Sequence, residues 1–313
     1  MLTFVRAASA LGDLIRKNAE AIKEKNDEAI QHLTQTDSVV VQQSHTSKQQ
    51  WRLFTCDAKT EEYCEIVFRM EGILVASQLV VGNNIGSFPT AKVANLSQRV
   101  KIVGLGCPSF NDALQQTKIV QAAFERHFGC PIAWNVGDEL TDGFLNISAN
   151  YLTRINGIDD LEVVAVGEGI DPFSTLSKFK AAGLVHTIDN VVKYYRKSVD
   201  ANGAVIYDTI VPANFRIGDI VEARASATVV ASKHGALKIH FHLHTLILHD
   251  AQFSKVRFRH FVRGERVKAT PKVESKKRLR KLRAAIDEDL DVGEARKKLK
   301  QMSVSDDMDD VAA

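Results

Sequence analysis

Three histidines that alternate along one stretch are the residues whose type and spacing most directly suggest chemistry. They are His240, His242 and His244, in the sequence Leu-Lys-Ile-His-Phe-His-Leu-His that begins at Leu237. Imidazoles at alternate positions of a strand project from one face, and neutral imidazole is a good ligand for zinc or iron. A zinc site is therefore one hypothesis for this stretch. The other two are contact with nucleic acid and a plain polar strand face.

The strand that carries the histidines has a predicted partner immediately before it. Residues 220–231 alternate small apolar with polar side chains, and residues 232–236 form a short loop in which Gly235 can adopt positive φ. This loop length pairs Ala231 with Leu237 and Ala225 with Leu243, so that small residues mostly lie opposite large ones. The same register predicts a hairpin whose buried face is apolar and whose outer face holds the three histidines, beside Thr228, Ser226 and Arg224.

The alternation changes phase beyond the third histidine. Leu246 and Leu248 would share the histidines' face if the strand stayed regular. We therefore expect either a β-bulge near Thr245 or burial of both faces at that end of the strand.

A strongly basic segment follows the hairpin. Residues 255–283 contain thirteen lysines and arginines against two acids, a net charge of +11, which leaves −8 for the rest of a chain whose total is +3. A mildly acidic body with one basic segment is typical of a protein that binds a polyanion locally. Lys255, Arg257 and Arg259 alternate with apolar residues that include Phe258, a pattern suited to phosphates and stacked bases.

The densest part of this segment lies at residues 276–283, where six of eight residues are basic. Such a cluster is typical of a nucleic-acid-binding arm or a nuclear-import signal, and the alternative is a solvated charged helix. The predicted nucleic-acid contacts are Lys255, Arg257, Phe258, Arg259, Lys276, Lys277, Arg278, Arg280, Lys281 and Arg283.

Composition favours an intracellular globular protein. Hydrophobic residues make up 45% and charged residues 25% of 313 residues, and no apolar run approaches the roughly 18 residues of a membrane span, so we expect no membrane partner. The four cysteines form no Cys-x-x-Cys pair, which favours reduced thiols. The sequence has no nucleophile elbow, phosphate loop or His-Glu-x-x-His motif, so the balance is against an enzyme.

The pattern of predicted elements indicates an α+β fold. A helix is predicted over residues 2–33, a polar linker over 34–50, a globular body over 51–262 and a charged, partly helical tail over 263–313. The body, with a candidate division near residues 171–203, ends in an antiparallel β-meander. Its long strands resemble those of a small barrel of the oligonucleotide-binding type.

Within the body, residues 65–81 are predicted as two strands around Glu71-Gly72. Residues 100–136 are predicted as a strand, a helix and a strand, an order that permits a parallel crossover. A further strand is predicted over residues 161–166, and a helix that Thr187 caps.

The leading hypothesis is a non-catalytic, nucleic-acid-associated protein that binds DNA or RNA through its basic C-terminal segment, in the nucleus rather than the cytoplasm. The first alternative is a metal-dependent enzyme whose zinc is bound by His240, His242 and His244. The second is an assembly protein that uses its terminal helices to contact a protein partner. Apart from the zinc of the first alternative, no cofactor is expected.

Overall fold

The computed structural model describes residues 2–21, 27–29, 39–44, 47–56, 62–134, 143–155, 161–231 and 235–254. The helices are α1 (Leu2–Ala21), α2 (Thr90–Val93) and α3 (Pro108–Phe128), with short 3₁₀ helices at Asn83–Ser87, Leu176–Ala182, Ile188–Asn190 and Pro212–Asn214. The strands are β1 (Asp27–Ala29), β2 (Val39–Ser44), β3 (Ser47–Cys56), β4 (Tyr63–Glu65), β5 (Val67–Gln78), β6 (Ser97–Val103), β7 (Ala133–Trp134), β8 (Phe144–Asn150), β9 (Thr153–Arg154), β10 (Leu184–Val185), β11 (Lys193–Val199), β12 (Val205–Thr209), β13 (Ile220–Ala231) and β14 (Leu237–Asp250). Few helices and one large sheet confirm a mixed α and β architecture.

The β13–β14 hairpin has the predicted register. Ala231 pairs with Leu237 and Ala225 with Leu243, which places the alanines of β13 under the large apolar side chains of β14. The register then shifts, because Arg224 pairs with Thr245 and His244 is skipped. This bulge confirms the first of the two predictions for that end of the strand, and it keeps Leu246 on the apolar inner face. The second prediction is also met, because Leu246 and Ile247, which point to opposite sides, are both buried.

Five long strands are joined by five pairings. β5 pairs with β6, β6 with β8, β8 with β14, β14 with β13 and β13 with β5. All are antiparallel except β8–β14, which is a short parallel pairing through Phe241 and His242. The sheet extends from β13 to β3 and β2, and from β14 to β11 and β12.

The apolar core lies between the inner faces of these strands and α3. Phe68, Ile102, Ile147 and Phe241 are fully or almost fully buried. Helix α3 contributes an apolar face, and α1 contacts α3 and β5. Two glycines permit close approach: a Cβ atom at Gly72 would lie 2.8 Å from the Cβ of Ile102, and one at Gly104 would lie 2.5 Å from that of Phe110.

Several local predictions are wrong. The helix predicted over residues 2–33 is too long, because α1 ends at Ala21 and Asp27–Ala29 pairs with β5 as a parallel strand. Glu71-Gly72 is not a turn: β5 runs through it as a single strand, where glycine admits a close neighbour. The described part of the predicted linker forms β2 and part of β3, which pair with each other in the main sheet.

The predicted connections between strands are also wrong. β7 and β8 both pair parallel with β14, and β8 pairs antiparallel with β6. β6 and β7 therefore run in opposite directions, and with α3 they do not form a parallel crossover. Thr187 caps only the 3₁₀ turn Ile188–Asn190, and the chain continues as strand β11. The C-terminal strands are not a meander, because β11 pairs parallel with β14. Residues 161–166 form no strand and make only a bridge from Val163 to Thr187.

Among the described residues, no helix combines the length and the apolar character needed to cross a membrane. The predicted helical tail lies outside the described residues, and the predicted domain boundaries stay predictions.

Candidate nucleic-acid interface

The outer face of β6 and β8 concentrates cationic, aromatic and amide side chains. Antiparallel pairing places Arg99 opposite Ser148, Lys101 opposite Asn146 and Val103 opposite Phe144. Residues between them, including Val100, Ile102 and Ile147, point into the core, so these side chains must point outward. Arg99 is exposed, and its five outward neighbours in these pairs are half-buried. Neither strand contains an acidic residue. We call this surface the β6–β8 face.

Lys101 and Phe144 are in direct contact on the β6–β8 face. The Nζ atom of Lys101 lies 3.1 Å from the centre of the Phe144 ring, a distance typical of a cation–π interaction. The two residues are diagonal neighbours across the strand pair, which brings long side chains together. A nucleic-acid base stacks on an exposed aromatic ring and a phosphate pairs with an ammonium group, so this arrangement suits a single strand.

A second cation–aromatic pair precedes β6. The Nζ atom of Lys92 in α2 lies 3.7 Å from the centre of the Phe88 ring. Lys92 is exposed and Phe88 is half-buried. A main-chain hydrogen bond from Tyr151 to Leu96, 3.1 Å long, continues the β6–β8 pairing into this connection. The loop between β5 and β6 therefore offers the same chemistry close in sequence to the β6–β8 face.

The three histidines are not on an open surface. His242 is only 8% exposed, and its Nε2 donates a hydrogen bond of 2.9 Å to the main-chain oxygen of Asp189. The Nε2 of His244 lies 2.9 Å from the hydroxyl of Ser226, and His240 pairs with Thr228. The prediction of an outer histidine face is wrong because β3, β4 and the 3₁₀ turn before β11 contribute groups that cover it.

Arg52 connects the groups of this covering layer through two ion pairs. Its guanidinium lies 3.0 Å from a carboxylate oxygen of Glu65 and 2.9 Å from one of Asp189. The side chain of Arg52 is 6% exposed and those of Glu65 and Asp189 are 24% and 23% exposed, so this ion pair is largely shielded from solvent and its geometry matters more than that of a surface pair. A similar buried group lies further along β13, where Glu222 contacts Arg69, Arg224 and His249 at 3.0–3.3 Å.

Burial sets the protonation states in this layer. Loss of solvent, with the nearby positive charge of Arg52, lowers the pKa of His240 to about 4. Burial, together with the neighbouring His244 and Arg52, lowers the pKa of His242 to about 3. Burial alone would raise the pKa of Glu65, but the hydrogen bond from His244 and the charge of Arg52 outweigh it and lower that pKa to about 2. His240 and His242 are therefore neutral at physiological pH.

The structure does not bring His240, His242 and His244 together as a set of metal ligands. In the part of the chain that the structure describes, no group of three or more His, Cys, Asp and Glu residues is placed to hold a metal ion. The ring centres of His242 and His244 are 5.0 Å apart, but their Nε2 atoms contact Asp189 and Ser226 respectively. His242 and His244 act here as hydrogen-bonding members of a buried polar layer.

The predicted basic contacts lie outside the described residues. These are Lys255, Arg257, Phe258, Arg259, Lys276, Lys277, Arg278, Arg280, Lys281 and Arg283. Their role in binding, and the predicted nuclear localisation, stay predictions.

Comparison with known proteins gives distant structural likenesses. No protein-family model and no curated protein matches the chain. Among solved structures, the chain is similar to gp2.5, a single-stranded DNA-binding protein of bacteriophage T7, with 11% identity over 61% of this chain and 96% of that one, at a TM-score of 0.30. It is also similar to the single-stranded DNA-binding protein of bacteriophage Enc34, with 9% identity over 71% and 96% of the two chains and a TM-score of 0.28. A C-terminally truncated form of that protein gives 7% identity, 70% and 98% coverage and a TM-score of 0.28. At these TM-scores the likenesses decide neither the fold nor the function of this chain.

The β6–β8 face is not among the surfaces predicted from the sequence. The signal was present, because Arg99 and Lys101 alternate with apolar residues, as do Phe144 and Asn146. What the sequence did not show is that these two strands, separated by a helix, pair with each other and place all four side chains on one surface.

Proposed function

We propose that this chain is a non-catalytic protein that binds single-stranded nucleic acid across the β6–β8 face. The observation that carries the proposal is the contact of Lys101 with Phe144 beside the exposed Arg99, on strands without a carboxylate. Stacking on an aromatic ring combined with cationic phosphate contacts is the usual way in which proteins bind single strands without base-specific hydrogen bonds.

We further propose that β5, β6, β8, β13 and β14 form a small barrel of the oligonucleotide-binding type. The five pairings among these strands, with one short parallel pair, support this arrangement. In such barrels the second and third strands and the loop between the first and second bind the ligand. The second and third of these five strands in chain order are β6 and β8, and the loop between the first two carries Lys92 and Phe88.

The basic segment at residues 255–283 supplies the second part of the proposal. Its net charge of +11 would add sequence-independent phosphate contacts to those of the β6–β8 face. The division of roles is that the face stacks bases and the segment neutralises phosphates. The names of the three phage neighbours agree with this function, but the proposal rests on the residues of the chain itself.

Fluorescence anisotropy of the full chain with labelled single-stranded DNA and RNA tests the proposal. We expect binding at low salt that weakens steeply as salt rises, and weak competition by duplex of the same length because its bases are not free to stack. The variant Phe144→Leu, which keeps an apolar side chain but removes the ring, should bind roughly ten-fold more weakly. Failure of the wild-type chain to bind either polymer at low salt would reject the proposal.

A further inference from the structure

The hairpin formed by β11 and β12 extends beyond the rest of the sheet. β11 pairs with β14 only through residues 193–196, whereas its pairing with β12 continues to Val199. All five residues of β12 are exposed. The connecting turn is ordered by Asp200, whose carboxylate accepts hydrogen bonds of 2.8 Å from the main-chain nitrogens of Asn202 and Ala204. The hairpin is thus a defined arm with two accessible faces.

The two faces of this arm differ in charge. Cross-strand pairing places Tyr195 opposite Thr209, Lys197 opposite Tyr207 and Val199 opposite Val205 on one face, which we call the tyrosine face. Lys193 shares this face, because it lies two residues before Tyr195 on the same strand. The tyrosine face therefore carries two lysines and no carboxylate.

The opposite face of the arm holds the acidic side chain of its two strands, which is that of Asp208. Asp208 pairs with Arg196 there, and its carboxylate accepts a hydrogen bond of 3.2 Å from the hydroxyl of Ser198. The charges of Arg196 and Asp208 offset each other, so the net positive charge of the two strands lies on the tyrosine face.

The two tyrosines present aromatic surface to solvent. Their ring centres are 6.4 Å apart with an angle of 77° between the ring planes, so the edge of one ring faces the other. Tyr207 is 44% exposed and Tyr195 is half-buried. Two lysines beside such a ring pair repeat the chemistry of Lys101 and Phe144 at a separate position in the sheet.

The arm lies on the same side of the sheet as the β6–β8 face. Ser148 of β8 pairs with His242, and Tyr195 of β11 pairs with Ile247, both on β14. His242 and Ile247 pair with Ser226 and Glu222 of β13. These two partners are four residues apart on a regular strand and point to the same side of the sheet, so His242 and Ile247 do too. His242 and Ile247, with the bulge at His244 between them, are roughly 15 Å apart along β14.

We propose that the tyrosine face is a second contact surface for the same single strand, with a base stacked on Tyr207 and phosphates paired with Lys193 and Lys197. This inference rests on the proposed function, since it extends the path of the strand from the β6–β8 face. The role of the arm would then be to bind nucleic-acid strands that are long enough to reach both surfaces. The alternating cations and tyrosines, without a carboxylate, favour nucleic acid over a second copy of the chain as the occupant.

Binding of the full chain to labelled oligothymidylates of increasing length tests this inference. Tyr207→Ala should weaken binding to long strands roughly ten-fold and leave binding to the shortest bound strand unchanged, because only long strands reach both surfaces. Ile206→Ala is the matched control, since Ile206 is 41% exposed on the same strand but points to the opposite face. Phe144→Leu should weaken binding at every length.

The outcomes separate the two proposals. Wild-type affinity of Tyr207→Ala for long strands would overturn the inference while leaving the proposed function intact, whereas no binding by the wild-type chain would overturn the function itself.

Sedimentation of the same variants tests whether the arm is instead an assembly surface. If the wild-type chain is an oligomer that both Tyr207→Ala and Ile206→Ala dissociate, the arm is an assembly surface and the inference is wrong. An unchanged melting temperature of Tyr207→Ala shows that the variant is folded.

Discussion

Lys101 and Phe144 lie on adjacent antiparallel strands with the lysine ammonium 3.1 Å from the centre of the phenylalanine ring. The contact fixes a cation and an aromatic group on one surface, where Phe144 is half-buried. Neither side chain points into the core, because the inward positions of the two strands are occupied by buried aliphatic side chains and by Gln98. The proposed function assigns these two outward side chains to the binding of nucleic acid.

Removing the two cations of the β6–β8 face should weaken binding in a salt-dependent way. For Arg99→Gln combined with Lys101→Gln, we expect the slope of log affinity against log salt to fall by about 0.7 for each phosphate that the protein no longer neutralises. The control is Lys17→Gln with Lys118→Gln, which removes two exposed lysines of α1 and α3. Equal slopes for both double variants, measured by anisotropy across a salt titration, would show that the face does not bind phosphates.

Neutralising the basic cluster at residues 276–283 should weaken binding to all sequences alike. Replacement of its six lysines and arginines by glutamine should reduce the salt slope by up to about 4, because fewer neutralised phosphates mean fewer released counterions. Leu279→Gln with Leu282→Gln changes the same segment without changing its charge and should leave the slope unaltered. A wild-type slope in the neutralised variant would remove this segment from the binding surface.

Acid should destabilise the protein before its carboxylates titrate. His240 and His242 have folded-state pKa values of about 4 and about 3, below the ordinary 6.5 of an unfolded histidine. Between pH 6.5 and 4 the unfolded chain takes up protons that the folded chain does not, so stability is full above pH 6.5 and falls as the pH is lowered. The loss due to His240 alone should be about 2 kcal/mol at pH 5. Glu65 adds a further loss only below about pH 4.5, where its unfolded form becomes protonated.

Urea unfolding at pH 7.5 and pH 5 measures this dependence. The double variant His240→Asn with His242→Gln cannot titrate at these positions, so its free energy of unfolding should change less between the two values. A wild-type protein equally stable at both would show that these histidines are not buried as neutral groups.

Breaking the buried ion pair should cost far more than breaking an exposed one. Arg52→Met leaves Glu65 and Asp189 without their cation and should destabilise the protein by about 3 kcal/mol or more. Arg16→Met, which removes the exposed pair of Arg16 with Asp13 in α1, should cost less than about 1 kcal/mol. Arg52→Met combined with Glu65→Gln also removes the carboxylate charge that the first substitution leaves without its cation. The loss of unfolding free energy in the double variant should therefore be smaller than the sum of the losses in the two single variants. Additive costs in thermal and urea unfolding would argue against coupling.

The β13–β14 hairpin could be predicted from sequence because its information is local. A five-residue loop and alternating small and large side chains specify the register between Ala231 and Leu237, and the phase change at Leu246 indicates the bulge. No long-range knowledge is needed for either step.

The burial of the histidines and the β6–β8 face depend on contacts that are distant in sequence. Arg52 and Asp189, which cover His242, are separated from it by about 190 and 53 residues, and no local pattern links them. Arg99 and Ser148 are likewise brought together only by strand pairing across α3. Gly72 misled the prediction for a different reason: glycine favours turns, but here its lack of a side chain lets β5 pass close to Ile102.

Photocrosslinking of the full chain to a single-stranded oligonucleotide, followed by peptide mapping, tests the central claim most directly. We predict crosslinks in the peptides that contain residues 97–103 and 144–150, including one at Phe144, and their disappearance in Phe144→Leu under conditions where the basic segment still binds. Crosslinks confined to other parts of the chain, with none in β6 or β8, would contradict the assignment of this face.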